Sequence, residues 1–294
     1  MPKILVNGLN LHYWQSGQGP NVVLLHGLGG NLAGWHLTIV PELQRQYRIT
    51  TYDLRGHGRS DAPPTGYTTR DMVEDLKCLM DALGIEQAYV VGHSWGGDIA
   101  LHFALLYPQR VAKLVVIEGA LLAPLAHLYV SKDWEGWPYI TKTIETLVGA
   151  PIPEAHRYDL EYLLKKLIEI PIIYGPAKGR PRDEELILRV WDVLKPGWNG
   201  YQAEGELQVE NLVQIPHQTL LLFEANSISL KAYKVLRNRL PHAIAKTLPD
   251  GKLKHFTGLE HPALILEHTK AFLQSEKLWD FATSEDESKC PMLS

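Results

Sequence analysis

The sequence predicts an α/β protein, a mainly parallel sheet covered by helices on both faces and interrupted by one helical insertion. Three observations predict it. Short apolar runs alternate with helical patterns through residue 120, as strands buried on both faces of a parallel sheet do. From 121 to about 206 the strands stop, and helical stretches rich in Trp, Tyr and Pro follow one another. The strand–helix rhythm then resumes. A chain of 294 residues with 45% hydrophobic content is long enough for one large domain with such an insertion.

In order, "ILVNG" and "LNLHYWQSG" read as a hairpin turning at Asn7-Gly8, because that dipeptide tolerates the positive φ of a tight turn. "NVVLLHG" is a strand running into a glycine-rich loop, and "YRITTYDLRG" is another strand. "TTRDMVEDLKCLMDALG" is an amphipathic helix with Thr69 as its cap, Gly84 at its end, and Met72, Leu76, Leu79 and Leu83 on one face. "QAYVVGH" is a strand, "WGGDIALHFALLYP" a mostly apolar helix stopped at Pro108, and "VAKLVVIEG" a strand. In the insertion, "RYDLEYLLKKLIEI" and "RDEELILRVWDVL" read as helices. Strand "QTLLLFEANS", helix "LKAYKVLRNRL", strand "KLKHF" and helix "PALILEHTKAFLQ" complete the pattern. The core is thus expected at 1–120 and 207–294, the insertion at 121–206, and a flexible tail at about 277–294.

With 29 basic and 33 acidic residues, the chain has a formal charge of −4 and lacks the basic footprint of a nucleic-acid binder. No apolar run is long enough to span a bilayer, and no secretory signal is read at the N-terminus, so a cytoplasmic protein is expected. Cys78 and Cys290 are far apart, lie in no metal-ligand spacing and read as free thiols. Neither a metal nor a cofactor is expected.

The chemistry centres on Gly92-His93-Ser94-Trp95-Gly96, a G-x-S-x-G sequence between a predicted strand and a predicted helix. A serine there sits on a strained turn with its hydroxyl projecting above the sheet. An acyl-transfer intermediate at such a serine needs two N–H donors for its oxyanion. The amide after the nucleophile, Trp95, supplies one at a helix N-terminus. Leu28, in the glycine-rich loop, is expected to supply the other.

"LLHGLGG", "YDLRGHGRSD", "GHSWGG" and "GLEHPALILEHTKAFL" resemble, in order and spacing, motifs of the α/β-hydrolase family. The resemblance covers the chain apart from the insertion and tail. It implies an eight-stranded, mostly parallel sheet and a helical cap formed by the insertion. It also implies that His261, before the last helix, is the general base, and that Asp53, Arg55 and Ser60 brace their loop.

The family commonly carries its acid in a W-G-x-x-D pattern after the seventh strand. Here the corresponding run is Phe223-Glu224-Ala225-Asn226-Ser227, which places serine where aspartate is expected. In the haloalkane dehalogenase and coelenterazine luciferase branch the acid follows the sixth strand instead. Glu118 stands there, at the end of an apolar run where an unpaired charge is costly. The expected triad is therefore Ser94–Glu118–His261, with Glu224 and Asp250 as competing acids. Dehalogenases and epoxide hydrolases use an aspartate nucleophile, whereas a serine suits attack on a carbonyl.

The expected function is a carboxylesterase-type serine hydrolase for a lipophilic small molecule, with Trp134 and Trp137 as pocket candidates in the cap. Other chemistries on this scaffold are carbon–carbon hydrolase, thioesterase, lactonase, perhydrolase and hydroxynitrile lyase. A non-catalytic binding or receptor role is the alternative of a different class.

Overall fold

The structure, a computed structural model, describes residues 2–129, 131–169, 207–252, 254–255 and 257–275. The strands are β1 (Lys3–Val6), β2 (Leu9–Ser16), β3 (Asn21–Leu25), β4 (Arg48–Tyr52), β5 (Ala88–His93), β6 (Val111–Ile117), β7 (Thr219–Glu224) and β8 (Ala243–Leu248). They form one sheet in the order β1-β2-β4-β3-β5-β6-β7-β8. The β1–β2 and β2–β4 pairs are antiparallel and all the others parallel. The hairpin turns where expected, with φ of 48° at Asn7 and 76° at Gly8.

The longer helices are α1 (Thr69–Ala82), α2 (Trp95–Leu106), α3 (Gly136–Val148), α4 (Leu160–Ile168), α5 (Leu230–Arg239) and α6 (Pro262–Gln274). Helix α1 is capped by Thr68 rather than Thr69: the Thr68 hydroxyl accepts from the Asp71 amide, and the Asp71 carboxylate accepts in return from the Thr68 amide. This reciprocal pair satisfies two donors that the helix start leaves open, whereas Thr69 is buried one position inside.

Alternation along the strands divides the core into two layers. Val23 and Leu25 of β3 pack on the side of Met72, Leu76 and Leu79 from α1 and Ile99 and Phe103 from α2. Val22 and Leu24 face the opposite side, with Trp35, Ile39 and Leu43 and with Ile265 and Phe272 of α6. Each fully buried side chain of this size contributes roughly 1.5–3 kcal/mol relative to exposure.

The eighth strand is not where the sequence pattern placed it. β8 is the run Ala243–Leu248, paired in register with all six residues of β7, and Lys252, Lys254 and His255, the described residues of "KLKHF", lie after it and outside any strand. Pro249, Asp250 and Gly251 end the strand, as that turn composition favours. The shift carries the loop after β8 across the carboxyl ends of the central strands.

The part of 121–206 that is described is helical and contains α3 and α4. The helix read at "RDEELILRVWDVL" and the tail at 277–294 lie outside the described residues.

Candidate active site

Ser94 is built by close packing around its turn. Its backbone has φ 53° and ψ −123°, a conformation costly for any residue with a side chain. The Ser94 amide donates to the Ile117 carbonyl at 2.8 Å, tying the turn to the end of β6. A Cβ on Gly92 would lie 2.1 Å from the Gly96 carbonyl oxygen, and one on Gly96 would lie 2.3 Å from that of Leu25. Only glycine allows strand, turn and helix to come this near.

The glycine-rich loop after β3 leans on the same turn, since a Cβ at Gly27 would stand 2.9 Å from the Ser94 Cβ. Two histidines fix that loop. His26 Nε2 accepts the Leu54 amide at 3.0 Å, so its Nδ1 donates to the Gly27 carbonyl at 2.8 Å. His57 Nε2 accepts the Gly29 amide at 3.1 Å, and its Nδ1 donates to the Arg55 carbonyl. Burial pushes both imidazoles down, His57 to about 3, so each is neutral near pH ~7 and keeps its tautomer. Among the described residues the Leu28 and Trp95 amides have no acceptor, and both lie in segments that meet at Ser94.

The expected bracing is also present. Asp53 accepts from the Leu32 and Arg59 amides, each at 2.8 Å, and contacts His12 Nδ1 at 2.7 Å. Arg55 grips Asp75 through two nitrogens, each at 2.6 Å. The Ser60 hydroxyl donates to the Asp53 carbonyl.

The histidine that reaches Ser94 is His255, not His261. His255 Nε2 lies 2.8 Å from Ser94 Oγ. His261 is the residue preceding α6; its amide donates to the Thr257 carbonyl, and its Nε2 is buried without a partner among the described residues. The reason is the position of β8. With the strand ending at Leu248, His255 falls in the loop above the sheet. The single turn Thr257–Glu260 then carries the chain away before His261. His93, inside the turn motif, holds His255: its Nε2 donates to the His255 carbonyl at 2.8 Å. Burial pushes the His93 imidazole down to about 4, which keeps it a neutral donor.

Glu118 lies behind His255, with its Oε2 3.7 Å from His255 Nδ1. That is ion-pair range, longer than a hydrogen bond. The side chain is fully buried, at 0% exposure, yet well supplied with donors. Its Oε1 accepts from the Glu224 amide at 2.6 Å and from the Thr257 hydroxyl at 3.1 Å, and its Oε2 accepts from the Ser227 hydroxyl. Of the competing acids, Asp250 is exposed. Glu224 is buried at the end of β7, where its carboxyl packs against Gly251. Burial, reinforced by the charge of Glu118, pushes the Glu224 carboxyl up to about 7.

Trp134 and Trp137 are buried and pack edge-to-face with ring centres 5.4 Å apart, while Trp134 also meets Tyr129 at 5.1 Å. The Trp137 indole donates to the Ser131 carbonyl at 2.8 Å. These contacts pack both rings within the insertion. A cavity of about 150 Å³ beside Trp137 is lined by none of Ser94, His255 and Glu118. Trp191 and Trp198 lie outside the described residues.

Among the described residues, no cluster of three or more His, Cys, Asp or Glu side chains could hold a metal, and no helix is long and apolar enough to cross a membrane.

A family model described as "alpha/beta hydrolase fold" matches residues 20–143. Epoxide hydrolase 2 of Siraitia grosvenorii is 42% identical over 114 residues, covering 38% of this chain and 36% of that protein. The chain therefore matches little more than a third of that relative's length. 2-Hydroxymuconate semialdehyde hydrolase of Pseudomonas sp. (strain CF600) is 28% identical over 267 residues, which cover 89% of each protein. A solved N-acyl homoserine lactone degrading enzyme superposes with a TM-score of 0.67 at 27% identity, covering 92% of this chain and 100% of that one.

Proposed function

We propose that this chain, which has the α/β-hydrolase fold, is a serine hydrolase acting on a lipophilic small-molecule carboxylic ester. The observation that carries this reading is the 2.8 Å approach of His255 Nε2 to Ser94 Oγ on a strained strand-to-helix turn. A hydroxyl is a weak nucleophile until a base takes its proton, and neutral imidazole is that base near neutral pH.

In this reading His255 takes the Ser94 proton as the oxygen attacks the acyl carbon. The Leu28 and Trp95 amides hold the oxyanion, and Glu118 orients the imidazole and stabilises its cation. The His255 proton then passes to the departing alcohol, leaving an acyl-enzyme on Ser94. Water, deprotonated by His255, adds to the acyl carbon; the proton returns to Ser94 as the acid leaves. Losing either oxyanion donor typically costs about 3 kcal/mol of barrier.

Epoxide opening is disfavoured because it relies on a carboxylate nucleophile, and Ser94 occupies that position here. A second reading keeps the same triad but uses it on a lactone or on a carbon–carbon bond beside a carbonyl. The likeness to a 2-hydroxymuconate semialdehyde hydrolase and to an N-acyl homoserine lactone degrading enzyme, over about nine-tenths of this chain, supports it.

The test is hydrolysis of chromogenic esters of short and medium acyl length, beside a lactone and 2-hydroxymuconate semialdehyde. The ester reading expects turnover by the wild type that Ser94→Ala abolishes. Preference for the lactone or the semialdehyde selects the second reading, and no turnover of any substrate supports a non-catalytic binding protein.

A further inference from the structure

Helix α2 is apolar along nearly its whole length, yet Asp98 stands in its first turn at 1% exposure. A buried carboxylate needs donors, and those it finds belong to a segment that the catalytic steps do not use. Its Oδ1 accepts from the Ala120 amide at 3.1 Å and the Leu121 amide at 2.8 Å, and its Oδ2 accepts from the Leu122 amide at 2.8 Å. Those three consecutive amides have no other acceptor among the described residues.

The segment they belong to is strained. Glu118 has φ 53° and Leu121 has φ 49°, two residues with side chains in the left-handed region within four positions. Such backbone persists only where surrounding contacts hold it. Asp98 provides three of those contacts from one side. From the other, the Tyr129 hydroxyl donates to the Ala120 carbonyl. Ser94 immediately precedes α2, and Glu118 opens the strained turn. A single side chain therefore bridges the segments carrying two members of the triad.

We infer that Asp98 is a positioning residue, clamping the turn after β6 to the nucleophile helix so that Glu118 faces His255. This rests on the serine-hydrolase reading for its catalytic consequence, though the clamp itself does not. Without the clamp, the strained turn relaxes and the Glu118 carboxylate drifts from the imidazole. A displacement of about 1 Å in such a group lowers rate by about 100-fold.

The experiment uses Asp98→Asn and Asp98→Ala in the full chain, with near-UV circular dichroism to confirm native packing. Amide hydrogen exchange at Ala120, Leu121 and Leu122 reads the clamp directly. The rate of Ser94 modification by a fluorophosphonate reads its consequence without requiring the natural substrate. Faster exchange at all three amides is expected, with labelling slowed about 10- to 100-fold. Because Asp98 acts through Glu118, adding Asp98→Asn to Glu118→Gln slows labelling no further than Glu118→Gln alone.

Exchange unchanged from wild type overturns the clamp. Faster exchange with wild-type labelling, or slowdowns that multiply in the double variant, overturns the positioning role. If one variant fails to fold, the other carries the same comparison. Wild-type protein that does not react at Ser94 overturns the serine-hydrolase reading and with it the catalytic consequence, while the exchange rates still decide the clamp.

Discussion

The Ser227 hydroxyl donates to Glu118 Oε2, across the gap between the segments that follow β7 and β6. Ser227 occupies the position where the family pattern carries its acid. In the proposed triad the acid comes from the neighbouring strand instead, and the residue at the usual position bonds to it. Ser227 Oγ in turn accepts the Ser229 amide at 2.9 Å, so the hydroxyl is oriented toward the carboxylate.

Replacing Ser227 by alanine removes one of three donors from a buried carboxylate. Hydrogen bonds to charged groups are worth roughly 1.5–3 kcal/mol, so a drop in kcat/KM of about 10-fold is expected. Ser227→Asp sets a second carboxylate beside the first and is expected to be worse than alanine. Combining Ser227→Asp with Glu118→Gln relieves that repulsion and recovers part of the loss. A double variant slower than either single one contradicts the exchange of roles.

Glu224 predicts a pH dependence of stability. The unfolded carboxyl loses its proton near 4.5, whereas the folded one keeps it until about 7. Between those values the folded state binds more protons, so this group's contribution to stability falls as pH rises through the window, then levels off. Glu224→Gln removes the contribution. The difference in Tm, variant minus wild type, is expected to rise from about pH 4.5 to about pH 7 and then hold steady. A difference independent of pH contradicts it.

The strained backbone at Ser94 predicts a trade between stability and activity. Glycine adopts φ 53° without the clash a side chain suffers, and such strain costs roughly 1–3 kcal/mol. Ser94→Gly is expected to raise Tm while abolishing turnover. Thermal melts check this, and a lowered Tm contradicts it. Gly92→Ala is expected to lower Tm, because its Cβ would meet the Gly96 carbonyl oxygen at 2.1 Å and backbone has nowhere to go.

The elements that sequence reveals best here are those with strong local chemistry. The hairpin at Asn7-Gly8 and the strand–turn–helix around Ser94 follow from residues adjacent in the chain. That Glu118 would be buried with partners was legible, because a charge ending an apolar strand demands them. His255 was not, because "KLKHF" resembles a strand more than "AIAKTL" does. Pairing with β7 along Ala243–Leu248 decides between them. The turn residues Pro249, Asp250 and Gly251 were the available signal: they end a strand at Leu248 and leave His255 in a loop. The support from Ser227, Thr257 and the Glu224 amide was out of reach for another reason. Contacts 106 to 139 positions apart exist only once β6, β7 and the loop after β8 lie side by side.

The measurement that tests the central claim most directly is the rate of ester hydrolysis, or of Ser94 phosphonylation, in His255→Ala and His261→Ala side by side. His255→Ala is expected to lose about a thousandfold in rate, the scale of a general base, while His261→Ala stays within about threefold of wild type. Loss confined to His261→Ala, with His255→Ala near wild type, contradicts the account.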